Sequence, residues 1–281
     1  MTPEALRLEI SKLVEQFATI TYAPKPFEPG QTVIPPSGKV IGARELQLMV
    51  EASLDGWLTT GRFNAEFETK LAEFIGVKHL ITVNSGSSAN LVAFSTLTSP
   101  KLGERAIKKG DEVIGVAAGF PTTVNPIVQF GAIPVFVDVD MKTHNINADL
   151  IEAAITPRTK VLHFCHITNL TGQIFPVQNI SRMARARGII TIVDGAHAVA
   201  HFPFKLRDLE MDYYGTSLHK WLLAPTGTGF LYVRRDRIAK TWPLQAAPER
   251  NENDIRKFEE VGTHPAAHAL AVSVALTFHE G

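Results

Sequence analysis

Cysteine is nearly absent from this 281-residue chain: Cys165 stands alone. A single thiol excludes an intrachain disulfide framework and any iron–sulfur centre held by four cysteines of the chain, and it fits a reducing cytoplasm. Net charge is also lacking. Lysine plus arginine and aspartate plus glutamate number 28 each, so no overall field draws the chain to nucleic acid or to an anionic membrane, and any anion site must be local. No apolar run is long enough to span a bilayer, and the opening Met-Thr-Pro-Glu-Ala-Leu-Arg-Leu-Glu-Ile has no signal-peptide core. A cytoplasmic protein without nucleic-acid or membrane partners is the expectation. HExxH, Gly-x-Ser-x-Gly and the Gly-Lys-Ser/Thr of a nucleotide P-loop are all missing. His163 and His166, His197 and His201, and His264 and His268 have spacings that a metal could use. The first pair, however, lies in or beside a strand, where a separation of three points the rings to opposite faces, and no cysteine cluster assists. No catalytic metal is expected.

What is present is a core. Residues are 45% hydrophobic and 20% charged, the balance of a soluble globular protein. An amphipathic helix is predicted over Pro3 to Phe17, followed by an extended arm from Ala23 to Gly38 carrying five prolines. Leu46, Met49, Val50, Leu54 and Trp57 recur at helical spacing, as do Phe63, Phe67, Leu71 and Phe74. Strands are then predicted at 79–83, 112–116, 133–137, 161–164, 189–193, 212–216 and 229–233, with helices starting at Ser87, Pro121, Asn147 and Val177. Apolar, β-branched runs alternating with helices predict an α/β fold with a mostly parallel seven-stranded sheet flanked by helices. This domain spans 43–240, with the helix and arm before it at 1–42. The remaining 241–281 are too few for a full second domain.

Ligands of open α/β sheets collect where strands end and loops begin, and five segments of this kind carry polar or aromatic groups. Lys220 sits in Tyr-Tyr-Gly-Thr-Ser-Leu-His-Lys-Trp-Leu-Leu-Ala-Pro, from Tyr213 to Pro225, an apolar setting in which desolvation disfavours the ammonium form. Such an amine can attack a carbonyl. Asp194 ends a buried strand, where a carboxylate needs a cationic partner such as a pyridinium nitrogen; the competing reading is an Asp-Gly turn cap. The run Ser85 to Ala89 opens a helix and could hold a phosphate, although an ordinary N-cap explains the same letters. Phe120 could stack on a ring or belong to the core. Asn169 could bond a phenolate oxygen or simply occupy a turn. Taken together these residues suggest a site for pyridoxal 5'-phosphate.

The motifs resemble the aspartate aminotransferase fold of pyridoxal-phosphate enzymes, in two branches. From about Thr32 to Lys160, Thr-Thr-Gly-Arg-Phe, Val-Asn-Ser-Gly-Ser-Ser-Ala-Asn-Leu, Ala-Gly-Phe-Pro-Thr-Thr-Val-Asn-Pro and Gly-Ala-Ile-Pro-Val-Phe-Val-Asp-Val resemble the DegT/DnrJ/EryC1/StrS sugar aminotransferases, nearest their nucleotide-sugar 3-dehydrase branch. From about Val161, His-Ile-Thr-Asn-Leu-Thr-Gly-Gln, Val-Asp-Gly-Ala-His-Ala, Thr-Ser-Leu-His-Lys-Trp and Glu-Val-Gly-Thr-His-Pro resemble class V aminotransferases of the isopenicillin N epimerase and cysteine desulfurase kind. The first branch implies Gly86, Ser87 and Ser88 at the cofactor phosphate and Phe120 over the ring. The second implies Asn169 and His197 near the ring oxygen, Asp194 at the pyridine nitrogen, Ser217 and His219 at the phosphate, and Lys220 as the Schiff-base lysine. Thr263 matches a position that reaches the neighbouring subunit's phosphate, so the resemblance implies a homodimer with shared sites. The 3-dehydrases have histidine where this chain has Lys220. Class V enzymes continue past the equivalent of Gly281, implying a largely missing C-terminal small domain and a chimeric or truncated chain. Aminotransfer on an amine or amino-acid substrate is the leading expectation. Epimerase, desulfurase or lyase chemistry, a pyridoxamine-phosphate nucleotide-sugar dehydrase and an inactive cofactor-binding scaffold are the alternatives.

Overall fold

The computed structural model describes residues 1–34, 41–57, 61–144, 146–243, 253–258 and 267–280. Three helices come first: α1 (Pro3–Thr21), α2 (Ala43–Leu54) and α3 (Arg62–Ile75). The central region follows in the order β1 (Ile81–Val83), α4 (Gly86–Thr96), β2 (Glu112–Val116), α5 (Pro121–Gln129), β3 (Ile133–Val137), α6 (Ala148–Ala153), β4 (Thr159–Cys165), α7 (Val177–Ala186), β5 (Ile190–Asp194), α8 (Leu206–Leu209), β6 (Tyr213–Ser217) and β7 (Gly229–Val233). Beyond it lie α9 (Arg235–Ile238) and α10 (Ala267–Glu280), the latter packing on α2 and α3 while α1 packs on α2.

Local chemistry sets several of these boundaries. Thr2 caps α1 by accepting from the Ala5 N–H at 3.3 Å, and Pro3 supplies a first-turn residue that needs no acceptor. Gly76 ends α3 in the left-handed region at φ 75°, allowing the Val77 N–H to reach the Ala72 carbonyl at 2.8 Å. Ser85 caps α4 through the Ser88 N–H at 3.1 Å. The first helix runs four residues beyond the expected Phe17, and the proline-rich segment after it holds no helix or strand through residue 34. The rest of that expected arm lies outside the described residues.

The seven strands form one sheet in the order β1-β7-β6-β5-β4-β2-β3, with β7 antiparallel to both neighbours and every other pairing parallel. A mostly parallel sheet with helices packed against it is the expected architecture. Central strands are buried along almost their whole length, as runs such as Ile-Thr-Ile-Val require when both faces are covered. The largest hydrophobic cluster joins Phe67, Ile114, Phe164, Val193, Tyr214, Phe230 and Val272, and a second joins Phe94, Val113, Val161, Ile192, Tyr213 and Leu231. Two buried carboxylates tie down the end of the sheet where the parallel strands begin. Glu112 accepts from Arg158 and from Thr156, and Asp212 accepts from Arg237 at 2.7 Å and pairs with Arg234 at 2.8 Å. No helix among the described residues is long and apolar enough to cross a membrane.

Candidate active site

Strands β1, β2, β4, β5 and β6 all run the same way, so their C-terminal ends share one edge of the sheet. The loops leaving that edge enclose a cavity of about 200 Å3. Gly86, Ser87, Phe120, Asn169, Asp194, His197, Ser217 and Lys220 line it. Residues up to 134 positions apart in sequence meet there because parallel pairing returns each strand to the same edge. Ser88 and His219 are not in the wall: Ser88 is engaged by its N–H and hydroxyl with Ser85 inside the helix cap, and His219 is half-buried in the turn beside Lys220. Thr263 and His264 lie outside the described residues.

The N-terminus of α4 forms one wall. Gly86 donates its N–H to Ser217 Oγ at 2.8 Å, which leaves the Ser217 hydroxyl proton free to point to a ligand. Only glycine fits this close approach, because a Cβ on residue 86 would lie 2.7 Å from Ser217 Oγ and 3.1 Å from the Thr216 carbonyl carbon. With Gly86 and Ser88 already donating within the protein, the Ser87 N–H remains at the helix start, where the macrodipole favours an anion. Gly215 plays the matching part on the sheet: a Cβ there would meet Ala89 Cβ at 2.7 Å. The small residues of α4 thus let the helix lie directly on β6.

Asp194 occupies the tip of β5. Its Oδ1 accepts from the Ala196 N–H at 2.9 Å and its Oδ2 accepts from Asn90 Nδ2 at 2.9 Å. The turn-cap reading of Asp194-Gly195 and the ligand reading therefore coexist in one side chain, since each carboxylate oxygen has lone pairs to spare. Among the described residues no arginine or lysine forms an ion pair with it. Gly195 is required for a separate reason: a Cβ there would overlap the Tyr214 ring at 2.0 Å. Phe120 caps α5 and stands 67% exposed at the rim, free to cover a ring, while Asn169 is exposed in the turn after β4.

Lys220 is half-buried, and its Nζ lies 2.9 Å from His197 Nε2. Burial holds the amine below the ordinary lysine range, with the Asp194 carboxylate pulling the other way. His197 is likewise held below the usual imidazole range, first by burial and then by Lys220. A downward shift is the direction a nucleophilic amine needs, and its hydrogen-bonded neighbour is an imidazole and not a carboxylate.

Four residues in or beside the site have no cofactor role in the sequence reading. Asn90 is fully buried in α4 and orients Asp194. Its only local signal is a polar residue on the apolar side of a helix. His163 is fully buried in β4; burial pushes it down to about 4, opposed by the Asp194 carboxylate and by the backbone of Thr123. Cys165 lines the cavity, and burial pushes its thiol up to about 12, so it stays protonated and unreactive. His166 bonds the Tyr214 hydroxyl at 2.9 Å through Nδ1 and packs edge-on against Phe204. Among the described residues no group of three or more His, Cys, Asp or Glu side chains could hold a metal.

An unpaired carboxylate, a buried amine, and a helix N-terminus flanked by a serine hydroxyl in one cavity match the pyridine nitrogen, aldehyde and phosphate of pyridoxal 5'-phosphate. The fold is that of the pyridoxal-phosphate-dependent transferases, and the cavity fits that cofactor. Among solved structures, the apo cysteine desulfurase of Thermococcus onnurineus NA1 superposes with a TM-score of 0.66 at 19% identity, over 97% of this chain and 64% of that one. The aminotransferase TlmJ of Streptoalloteichus hindustanus gives 0.66 at 25% identity, over 85% and 64%. Residues 39–202 match the DegT/DnrJ/EryC1/StrS aminotransferase family, and the chain belongs to that family. The match runs past Lys160, where the motifs change character, and stops before Ser217 and Lys220.

Two curated relatives are similar over much of the chain. The lipopolysaccharide biosynthesis protein RfbH of Salmonella typhimurium is 60% identical over 199 residues, 71% of this chain and 45% of RfbH. The dTDP-4-dehydro-2,6-dideoxy-D-glucose 3-dehydratase of Saccharopolyspora spinosa is 44% identical over 173 residues, 62% of this chain and 37% of that protein. The chain spans less than half the length of these relatives.

Proposed function

We propose that this chain is the cofactor-binding part of a pyridoxal 5'-phosphate-dependent aminotransferase that exchanges an amino group between an amino acid and a nucleotide-linked sugar. The observation that carries the reading is the half-buried Lys220 amine in the same wall as the unpaired Asp194. When bound, the cofactor supplies an aldehyde for amines and a ring that accepts electrons. Ser217 and the Ser87 N–H would hold the phosphate, Asp194 would keep a proton at the ring nitrogen, and Phe120 would cover the ring from solvent. The Lys220 amine would take a proton from the substrate carbon and deliver it to the carbon on the other side of the C–N linkage, the shift that separates aminotransfer from epimerisation. Similarity to RfbH and to a sugar 3-dehydratase supports the nucleotide-sugar class, and a homodimer with shared sites goes with the family resemblance.

A second reading, dehydration of a nucleotide-linked hexulose, is favoured by the identity to the 3-dehydratase. Lys220 weighs against it. The deciding test incubates purified protein with cofactor, then screens amino donors against nucleotide-linked keto-sugars. Amino-sugar formation that requires a donor supports aminotransfer; turnover of the sugar with no donor supports dehydration. A yellow protein inert in both arms would overturn the enzymatic reading and leave a cofactor-binding scaffold.

A further inference from the structure

The residues behind Lys220 form a hydrogen-bonded chain with only one consistent set of proton positions. Trp221 Nε1 lies 3.3 Å from His197 Nδ1, and His197 Nε2 lies 2.9 Å from Lys220 Nζ. An indole N–H can donate and cannot accept. His197 Nδ1 must therefore be the acceptor, and a neutral imidazole with a bare Nδ1 carries its proton on Nε2. That Nε2–H points at Lys220, so the lysine nitrogen must accept, and only a neutral amine has a lone pair with which to do so. An ammonium at this distance would set two donors against each other.

The indole is itself held in place. His201 stacks on it with ring centroids 3.6 Å apart and planes 4° from parallel, and His201 Nδ1 donates to the His197 carbonyl at 2.9 Å. Trp221 is 44% exposed, so this clamp, rather than burial, fixes the direction of its N–H.

We propose that Trp221 is a positioning residue: its indole N–H sets His197 in the Nε2–H tautomer, and that tautomer keeps Lys220 as the free amine, ready for a carbonyl. Other groups act on the same atoms. Asp194 favours the ammonium electrostatically, and His201 lies within electrostatic reach of His197. The relay therefore opposes the Asp194 carboxylate, which favours the protonated lysine. This rests on reading Lys220 as the reactive amine.

The test uses the whole chain freed of cofactor. Nitrogen NMR of protein labelled with 15N-histidine reports the His197 tautomer directly, and trace acetic anhydride with mass spectrometry reports the reactivity of each lysine against pH. The wild type should show Nε2–H at His197. Trp221→Phe keeps the stacked ring and removes the donor; Lys220 acetylation at neutral pH should fall about threefold to tenfold, the worth of one hydrogen bond, with other lysines unchanged. An Nδ1–H tautomer in the wild type overturns the proposal without recourse to any variant. So does unchanged Lys220 reactivity in a Trp221→Phe protein whose other lysines react normally. Loss of cofactor attachment at Lys220 with the tautomer as stated would instead refute the functional reading and leave the relay standing.

Discussion

Gly86→Ala tests whether the start of α4 is built to sit against the end of β6. The new Cβ would lie 2.7 Å from Ser217 Oγ, against an ordinary contact of about 3.5 Å, with Ser217 N and the Thr216 carbonyl carbon both at 3.1 Å. Two of these three neighbours are backbone, so the helix must retreat by several tenths of an ångström. Overpacking of this kind costs about 1–3 kcal/mol, and stretching the 2.8 Å bond from Gly86 N–H to Ser217 Oγ adds about 1 kcal/mol. The expected loss is about 2–4 kcal/mol in urea unfolding. The phosphate grip moves with the helix, so cofactor affinity, read by quenching of protein fluorescence, should fall about tenfold or more. Ser217→Ala alone leaves the Gly86 N–H unsatisfied. Combined with Gly86→Ala it removes the nearest clashing atom, so the double variant should be less destabilised than the two single losses added together. Wild-type stability and affinity in Gly86→Ala, or strict additivity in the cycle, would refute the packing argument.

Three further outcomes are expected. Asp194→Asn should fold but weaken cofactor binding about tenfold to a hundredfold, the worth of a charge-assisted hydrogen bond; binding at wild-type strength in a titration would remove Asp194 from the ring nitrogen. Asp212→Ala removes the 2.7 Å partner of the 9%-exposed Arg237, while Arg234 keeps Asp236, and should cost about 3–5 kcal/mol in thermal or urea unfolding; a loss under about 1 kcal/mol would show the buried pair to be unimportant. His166 is buried and pushed down to about 4 from an ordinary 6.5. The unfolded chain therefore binds the proton first, and stability should decline as pH falls from about 6.5 to about 4. His166→Leu should flatten part of that decline in acid unfolding curves, and an unchanged acid limb would contradict the assignment.

Strand positions were legible because short continuous apolar runs mark them whatever their place in the sheet: 112–116, 133–137 and 229–233 coincide with the buried parallel β2, the exposed edge strand β3 and the antiparallel β7. Ends were less so. β4 reaches from Thr159 to Cys165, past the expected 161–164, because Thr159 pairs with Glu112 of β2 across a register shift that skips Lys160, and Cys165 pairs with Asp194 of β5. Of the site, the residues at strand tips were readable, since Asp194, Ser217 and Lys220 each follow an apolar run. Asn90 was not, because its role exists only once α4 lies across the sheet within reach of Asp194, 104 positions away. The Trp221–His197–Lys220 chain was hidden for the same reason: its proton positions follow from two distances and a ring orientation, none of which the letters encode. Ser88 is an intermediate case: its N–H serves the helix cap and its hydroxyl accepts from Ser85, which leaves the hydroxyl proton for another partner.

The central claim is that Lys220 is the amine that takes the cofactor. The most direct measurement is peptide mapping by mass spectrometry after pyridoxal 5'-phosphate is added, the protein is reduced with borohydride and then denatured. A pyridoxyl adduct is expected on the peptide containing Lys220, and none in Lys220→Ala. An adduct on another lysine, or cofactor retained covalently by Lys220→Ala, would contradict it.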